Sequence, residues 1–299
     1  MNIAVTATGG GVGQSILKAL KGSHYNVIAL DSEVLAAGLY MVPQHFIIPY
    51  ANDERYISEL VNICEQHKVD LLFPGMDCEL EKLADNEYRF SEIGTKVAVS
   101  NFMVIDIADD KRLTNIFLKQ NGFPYPKIFL DPAEITFPCV CKPRKGGARS
   151  KGVVVAHDIF EVPTLDNYII QEYIEGDEYT CGTLTLDRKY RGCIVMRRIL
   201  RDGDTYKAFV EHNDAIEDLC RKICEELKPM GAFNIQLRLR DGIPYVFEFN
   251  ARCSGTTAAR ALAGFNEPLM IADYLLKGKE PEFDIKPITI LRYWNELVI

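Results

Sequence analysis

Five short apolar runs in the first hundred residues, Ile3 to Ala7, Val27 to Leu30, Phe46 to Ile48, Leu71 to Pro74 and Val97 to Val99, are separated by stretches of helical periodicity. Runs this short and this uniformly apolar read as strands buried on both faces, and strands alternating with crossover helices build a parallel sheet. Ile57, Leu60, Val61 and Cys64 stand at i, i+3, i+4 and i+7, the stripe of a helix lying on such a sheet. From about residue 102 the pattern changes. A helix over Lys111 to Gln120 stops at Asn121-Gly122-Phe123-Pro124, and mostly β-type segments follow. These are Cys139 to Lys142, Val153 to Ala156, Tyr168 to Tyr173, Tyr179 to Leu186, Arg191 to Arg198, Ala232 to Leu239 and Tyr245 to Asn250, interrupted by one helix marked by Ile216, Leu219, Cys220, Ile223 and Leu227. The expected class is α/β with an α+β second half.

With 299 residues, 47% hydrophobic and 25% charged, the chain can fill a core divided over two or three lobes. A net charge of −8 and a pI near 5.3 argue against a nucleic-acid partner, because phosphate neutralisation needs a basic surface. The five histidines show no zinc spacing. No export signal opens the chain and no apolar run approaches membrane-spanning length, so no membrane partner is expected. Nine cysteines, an odd number in apolar contexts, then predict reduced thiols and a cytoplasmic location. Cys139 and Cys141 read as a core pair on one strand face.

Near the start, Thr8-Gly9-Gly10-Gly11-Val12-Gly13-Gln14-Ser15 joins the first strand to a helix, and Asp31 ends the second strand. Two readings stay open: a dinucleotide turn, which would make the chain an NAD-dependent oxidoreductase, or a tight turn that packs a helix on a sheet. The last glycine of the dinucleotide fingerprint is replaced by Gln14.

Later segments carry more. Lys142 ends an apolar strand and is followed by the basic, glycine-rich loop Arg144-Lys145-Gly146-Gly147-Ala148-Arg149-Ser150-Lys151-Gly152, whose amides and cations suit phosphate, although a solvated hairpin tip has the same composition. The strand Tyr168 to Tyr173 breaks at Ile174-Glu175-Gly176-Asp177 and resumes at Glu178, exposing backbone to an adenine edge and a carboxylate to ribose hydroxyls. In Tyr245 to Arg252, alternation puts Glu248 and Asn250 on one face and Phe247 and Phe249 on the other. Asn234-Ile235-Gln236-Leu237-Arg238 and the Asp241-Gly242 turn make a hairpin with that strand. A two-residue loop sets Gln236 across from Phe247, whereas a three-residue loop sets it across from Glu248, so the longer loop is predicted. Gln236, Glu248 and Asn250 would then offer oxygens to Mg²⁺, with Arg252 beside a transferring phosphoryl group. An ordinary polar hairpin face is the plain alternative.

Taken in order, these motifs resemble the ATP-grasp superfamily over essentially the whole chain, and Glu248-Phe249-Asn250-Ala251-Arg252-Cys253-Ser254 is most similar to one ATP-grasp half of the carbamoyl phosphate synthase large subunit. The resemblance implies a pre-ATP-grasp domain over 1–101, a small lobe with a phosphate lid over 102–178, and a large lobe with the metal site over 179–299. It implies nucleotide contacts from Lys111, Lys142, Gly147, Ser150, Lys151, Gln171, Glu172, Tyr173, Ile174, Glu178 and Gln236. Gln236, Glu248 and Asn250 are the implied metal residues, and Arg252 and Lys142 the implied catalytic ones. The implied cofactors are ATP and Mg²⁺, with Mn²⁺ as an alternative. The implied reaction joins a small carboxylate to an amine or thiol through an acyl phosphate, and a homodimer is left open. A non-catalytic ATP-binding regulator is the remaining alternative. Two positions depart from the family: Gln171 stands where relatives often have Glu, and Gly255 replaces an arginine of carbamoyl phosphate synthases. The chain has neither a second synthetase half nor a glutaminase. For substrate, Arg197, Arg198 and Lys207 are candidates for an anionic group, and Asp77 and Glu79 for an amine.

Overall fold

The structure is a computed structural model that describes residues 1–146, 150–163 and 167–299. The first domain is a five-stranded sheet of β1 (Asn2–Val5), β2 (Asn26–Asp31), β3 (Gln44–Ile47), β4 (Val69–Phe73) and β5 (Lys96–Val97), in the order β3-β2-β1-β4-β5. Every pairing in it is parallel. Ile3, Ala4 and Val5 are completely buried, as an uninterrupted apolar run in a parallel sheet requires. Helices α1 (Gly11–Leu20), α2 (Tyr56–Gln66), α3 (Leu80–Asp85) and α4 (Glu87–Glu92) pack on it.

The glycine-rich turn after β1 serves packing. A side chain at Gly13 would stand 2.4 Å from the Ala7 carbonyl oxygen, so only glycine lets α1 approach β1. Asp31, the residue expected to read a ribose in the oxidoreductase alternative, accepts a hydrogen bond from the Gly9 amide at 2.6 Å and so closes the turn itself. Ser15 on α1 donates to the Gly255 carbonyl at 3.3 Å and accepts from the Ala258 amide at 2.7 Å, tying this turn to the far end of the chain.

Helices α5 (Phe102–Asp109) and α6 (Lys111–Gln120) lead into a four-stranded sheet of β6 (Ile128–Phe129), β7 (Cys139–Pro143), β8 (Val154–Ala156) and β9 (Tyr168–Glu172), ordered β6-β9-β7-β8. Asp110 caps α6 by accepting from the Arg112 amide at 2.9 Å, and it pairs with Arg144 at 2.6 Å. The start of α6 is thereby fixed to the end of β7.

A six-stranded antiparallel sheet completes the chain, with β10 (Asp177–Leu186), β11 (Lys189–Arg201), β12 (Asp204–Val210), β13 (Gly231–Arg240), β14 (Ile243–Asn250) and β15 (Thr289–Leu291) in the order β14-β13-β10-β11-β12-β15. Helix α7 (Asp214–Leu227) covers it with Ile216, Leu219, Cys220 and Ile223 buried, as their spacing predicts. Helices α8 (Thr257–Leu262) and α9 (Glu267–Lys277) follow β14. All nine cysteines are free. Among the described residues no helix is long and apolar enough to cross a membrane.

The β13–β14 hairpin corrects one expectation. Gln236 does pair with Glu248, but the loop is Asp241-Gly242 alone, both with positive φ, and Arg240 pairs with Ile243. The missing residue is supplied by a bulge: the register shifts between Gln236 and Leu237, leaving Phe247 as the extra residue on β14. The bulge also breaks the expected alternation. Phe249 is buried, 5.1 Å from Phe233 and 6.1 Å from Phe117 between ring centres, whereas Phe247 lines the cleft beside Glu248.

Candidate active site

The four-stranded and six-stranded sheets enclose a cavity of about 250 Å³. Lys111, Lys142, Ser150, Gln171, Glu172, Tyr173, Ile174, Glu178, Gln236 and Glu248 all line it, so the strand end, the strand break and the hairpin, distant in sequence, share one cleft. Lys151 is exposed and does not line the cavity, and Gly147 lies outside the described residues.

Lys142 is 5% exposed, and its ammonium donates to the Phe247 carbonyl at 3.0 Å and sits 5.2 Å from that residue's ring centre. Burial lowers its pKa to about 8; the Lys111 charge adds to this, and Glu248 and Glu178 oppose it. Lys111, on the first turn of α6, donates to the Gly146 carbonyl at 2.7 Å, so the two lysines share one wall with the start of the glycine-rich loop.

At the other end, Gln171 is buried and donates to the Pro126 carbonyl at 3.2 Å. The Glu172 side chain pairs with Arg240 at 3.1 Å, and its amide donates to the Lys127 carbonyl at 2.8 Å. Glu178 is gripped from both sides. Arg198 donates to its Oε1 at 2.7 Å and Arg238 to its Oε2 at 2.9 Å. Arg238 also donates to the Ile174 carbonyl at 3.3 Å and lies 5.5 Å from the Tyr173 ring centre. Sequence reasoning missed Arg238, although it stands two residues from Gln236 on the same strand face.

Two expected site residues lie off the cavity wall. Asn250 sits behind Gln236 and Glu248, its oxygen accepting from Asn234 at 2.9 Å and from Gln236 at 3.1 Å. Arg252 is turned toward the first domain, where it pairs with Asp77 and donates to the Cys253 carbonyl at 2.8 Å. Burial works against its charge, but Asp77 and Glu248 hold its pKa above the ordinary arginine value.

The substrate candidates separate in the same way. Arg198 lines the cleft, whereas Arg197 lies over the Phe209 ring and pairs with Glu211 at 3.6 Å. Lys207 is outside the cavity, 5.7 Å from the Tyr206 ring centre. Glu79 is structural: it is 1% exposed and accepts from Thr6, the Gly75 amide and the Met76 amide, at 2.8, 2.7 and 2.8 Å, and from Tyr56.

Among the described residues no group of three or more His, Cys, Asp and Glu is arranged to hold a metal. Glu248 nevertheless fits a hard cation that takes one protein carboxylate and completes its shell with phosphate oxygens and water. Its carboxylate lines the cavity and accepts one neutral bond, from Asn250 at 3.2 Å.

The chain is a parallel α/β domain followed by two sheets that close on a cleft, with lysines on its wall and a strand break beside it. Residues 164–296 match the family described as ATP-grasp in the biosynthetic pathway with Ter operon, and residues 3–98 match the PylC-like N-terminal domain. The chain carries an ATP-grasp module, as its motifs led us to expect. It is 25% identical over 244 residues to D-alanine–D-alanine ligase A of Bacillus cereus, covering 68% of this chain and 79% of that one. It is 24% identical to the carbamoyl phosphate synthase large chain of Caldanaerobacter subterraneus over 75% of its own length, but over only 23% of that protein. The L-amino acid ligase of Bacillus licheniformis superposes with a TM-score of 0.73 at 19% identity, covering 96% of this chain and 78% of that one.

Proposed function

We propose that the protein activates a small carboxylate with Mg-ATP as an acyl phosphate, which an amine then opens to an amide. The observation that carries the reading is the convergence of Lys111, Lys142, Glu178, Gln236 and Glu248 on one cleft from five separate elements. In this reading Gln171 and the backbone of Glu172 to Ile174 receive the adenine and Glu178 the ribose. Lys111, Lys142 and Ser150 face the phosphates. A divalent cation bound at Glu248 supplies charge neutralisation on the phosphate oxygens. Arg252, presented toward the first domain, steadies the transferring phosphoryl group where the carboxylate arrives. Phosphoryl transfer of this kind needs positioning and charge stabilisation more than covalent participation by the protein. The likeness to amino-acid ligases favours amino-acid-sized acids and amines, and the nine free thiols fit a cytoplasmic setting.

A carboxylate labelled with ¹⁸O tests the acyl phosphate. One labelled oxygen per turnover should appear in the released inorganic phosphate, because the carboxylate oxygen that attacks the γ-phosphorus leaves with it. Turnover that releases unlabelled phosphate would overturn the reading.

A further inference from the structure

The six-stranded sheet gathers sulfur on the face turned away from the cleft. In the β10–β11 ladder Thr183 pairs with Cys193 and Cys181 with Val195, so these four side chains share one face, against which α7 packs. Glu178 and Arg198 stand an odd number of residues away along the same strands and point into the cleft instead. From α7, Cys220 and Cys224 meet the sulfur face one turn apart, both completely buried. Cys224 donates to Thr183 Oγ1 at 3.2 Å, beside Cys193 in the ladder. The Cys220 thiol reaches both Cys181 and Cys193.

Tyr190 completes the cluster. Between the partners of Leu184 and Thr185, β11 carries one extra residue, Arg191, and this bulge turns Tyr190 onto the same face as Cys193. Its hydroxyl donates to the Cys193 sulfur. Cys193 is also the member of the cluster that solvent can reach: it is half-buried, whereas Cys181, Cys220 and Cys224 are completely buried.

Two donors on one sulfur favour its thiolate. Cys193 is accordingly drawn below the ordinary thiol value by Cys220; burial opposes this and Tyr190 reinforces it. Burial pushes Cys64, Cys141, Cys224 and Cys253 the other way, up to about 12. Cys220 is held protonated by its contacts with Cys181 and Cys193, which keeps a donor on the Cys193 sulfur. Cys139 and Cys141, the sulfur pair on β7, are completely buried and both pushed up by that burial, so they offer an oxidant neither access nor a thiolate.

We propose that Cys193 is a site of reversible oxidation by hydroperoxides and that Cys220 is its resolving thiol, so that oxidation joins β11 to α7 through a disulfide. With hydrogen peroxide, the Cys193 thiolate attacks one peroxide oxygen and the O–O bond breaks. The departing hydroxide takes up a proton, leaving a sulfenic acid and one water. The Cys220 sulfur then displaces the sulfenic hydroxyl, which leaves with the Cys220 proton as a second water. Two thiol hydrogens and one peroxide thus become one S–S bond and two waters, and a dithiol reductant restores both thiols. The proposal does not depend on what the cleft binds.

The test treats the full chain, reduced and freed of reductant, with hydrogen peroxide, quenches it in denaturant with N-ethylmaleimide and maps the products by mass spectrometry. We expect two fewer maleimide adducts than the nine of the reduced protein, a linked Cys193–Cys220 peptide, and full return on addition of dithiothreitol. Cys78 is the internal control, being exposed but with its thiol pushed up by burial and by Glu79. Cys193 should be consumed about tenfold faster than Cys78, because the thiolate is the reacting form. Cys193→Ser should abolish the linked peptide, and Cys220→Ser should leave Cys193 as a sulfenic acid that dimedone captures. Consumption of Cys78 before Cys193 would overturn the inference. So would a linked peptide that lacks Cys193, or oxidation of Cys193 that dithiothreitol does not reverse. If Cys220→Ser fails to fold, the native and Cys193→Ser peptide maps decide.

Discussion

Gln236 and Glu248 face each other across β13 and β14 because Phe247 bulges out of the ladder between them and the turn. The bulge, rather than the loop, sets the register, and it also delivers the Phe247 carbonyl to Lys142. The loop itself needs left-handed backbone at Gly242, where φ is +75° and a side chain would meet no atom. Gly242→Val should therefore cost about 1–2 kcal/mol of stability through backbone strain alone. Urea unfolding measures this, and the KM for ATP should stay within about twofold of native because the bulge keeps the ladder in register.

Gly182 presents the opposite case, a glycine with ordinary backbone and no room. A side chain there would come within 2.4 Å of an Arg260 nitrogen and 2.5 Å of Glu267 Oε1, a buried pair. Gly182→Ala should destabilise the fold by about 3 kcal/mol, since both overpacking and disturbance of a buried ion pair are costly. Thermal unfolding should show a drop about twice that of Gly242→Val.

The lowered pKa of Lys142 has a sign that can be followed. Its folded value of about 8 lies below the ordinary 10.5, so between these pH values the unfolded chain holds a proton that the folded chain has released. Through this group stability rises with pH across that window, and the burial penalty is fully present below pH 8. A bound polyphosphate works the other way and raises the pKa. Nucleotide binding at pH 8 should take up about half a proton, and almost none at pH 6. Calorimetry in buffers of different ionisation enthalpy measures the uptake; proton release at pH 8 would contradict the assignment of Lys142 to phosphate.

Asp77 joins the first domain to the ATP-grasp module through Arg252, whose side chain is only 10% exposed. Asp77→Ala removes the partner of a mostly buried guanidinium and should cost about 1–2 kcal/mol in urea unfolding. If Arg252 steadies the phosphoryl group, kcat should also fall about tenfold with the KM for ATP nearly unchanged, because neither residue lines the cleft between the two sheets. A rise in that KM instead would place Arg252 in ground-state nucleotide binding.

Much of this was legible in the sequence because it rests on periodicity and order. The five parallel strands, α6 over Lys111–Gln120, α7 and the hairpin follow from apolar spacing and turn residues. Gln236 facing Glu248 was legible as a chemical requirement, but the bulge at Phe247 was not, since nothing local distinguishes a bulged residue from an alternating one. Strands β12 and β15 escaped because Asp204–Val210 opens on two polar residues in a row, shows neither an apolar run along its length nor strict alternation, and follows β11 after a tight turn, while Thr289–Leu291 is three residues long. Helices α8 and α9 carry buried Arg260 and Glu267, charged residues that interrupt an apolar stripe and become intelligible only as a pair. Glu79 was read as a candidate for an amine substrate for the same reason: its partners Thr6 and Tyr56 are 73 and 23 residues away.

The most direct test of the whole account is ADP release from Mg-ATP in the presence of pooled amino acids and other small carboxylates, comparing the native chain with Glu248→Ala. The account predicts release that depends on one pool and falls at least a hundredfold in the variant, the order expected when a group stabilising phosphoryl-transfer charge is removed. Substrate-dependent release that survives Glu248→Ala would contradict the placement of the chemistry in this cleft. Saturable ATP binding with no release from any pool would contradict the ligase reading and leave an ATP-binding regulator.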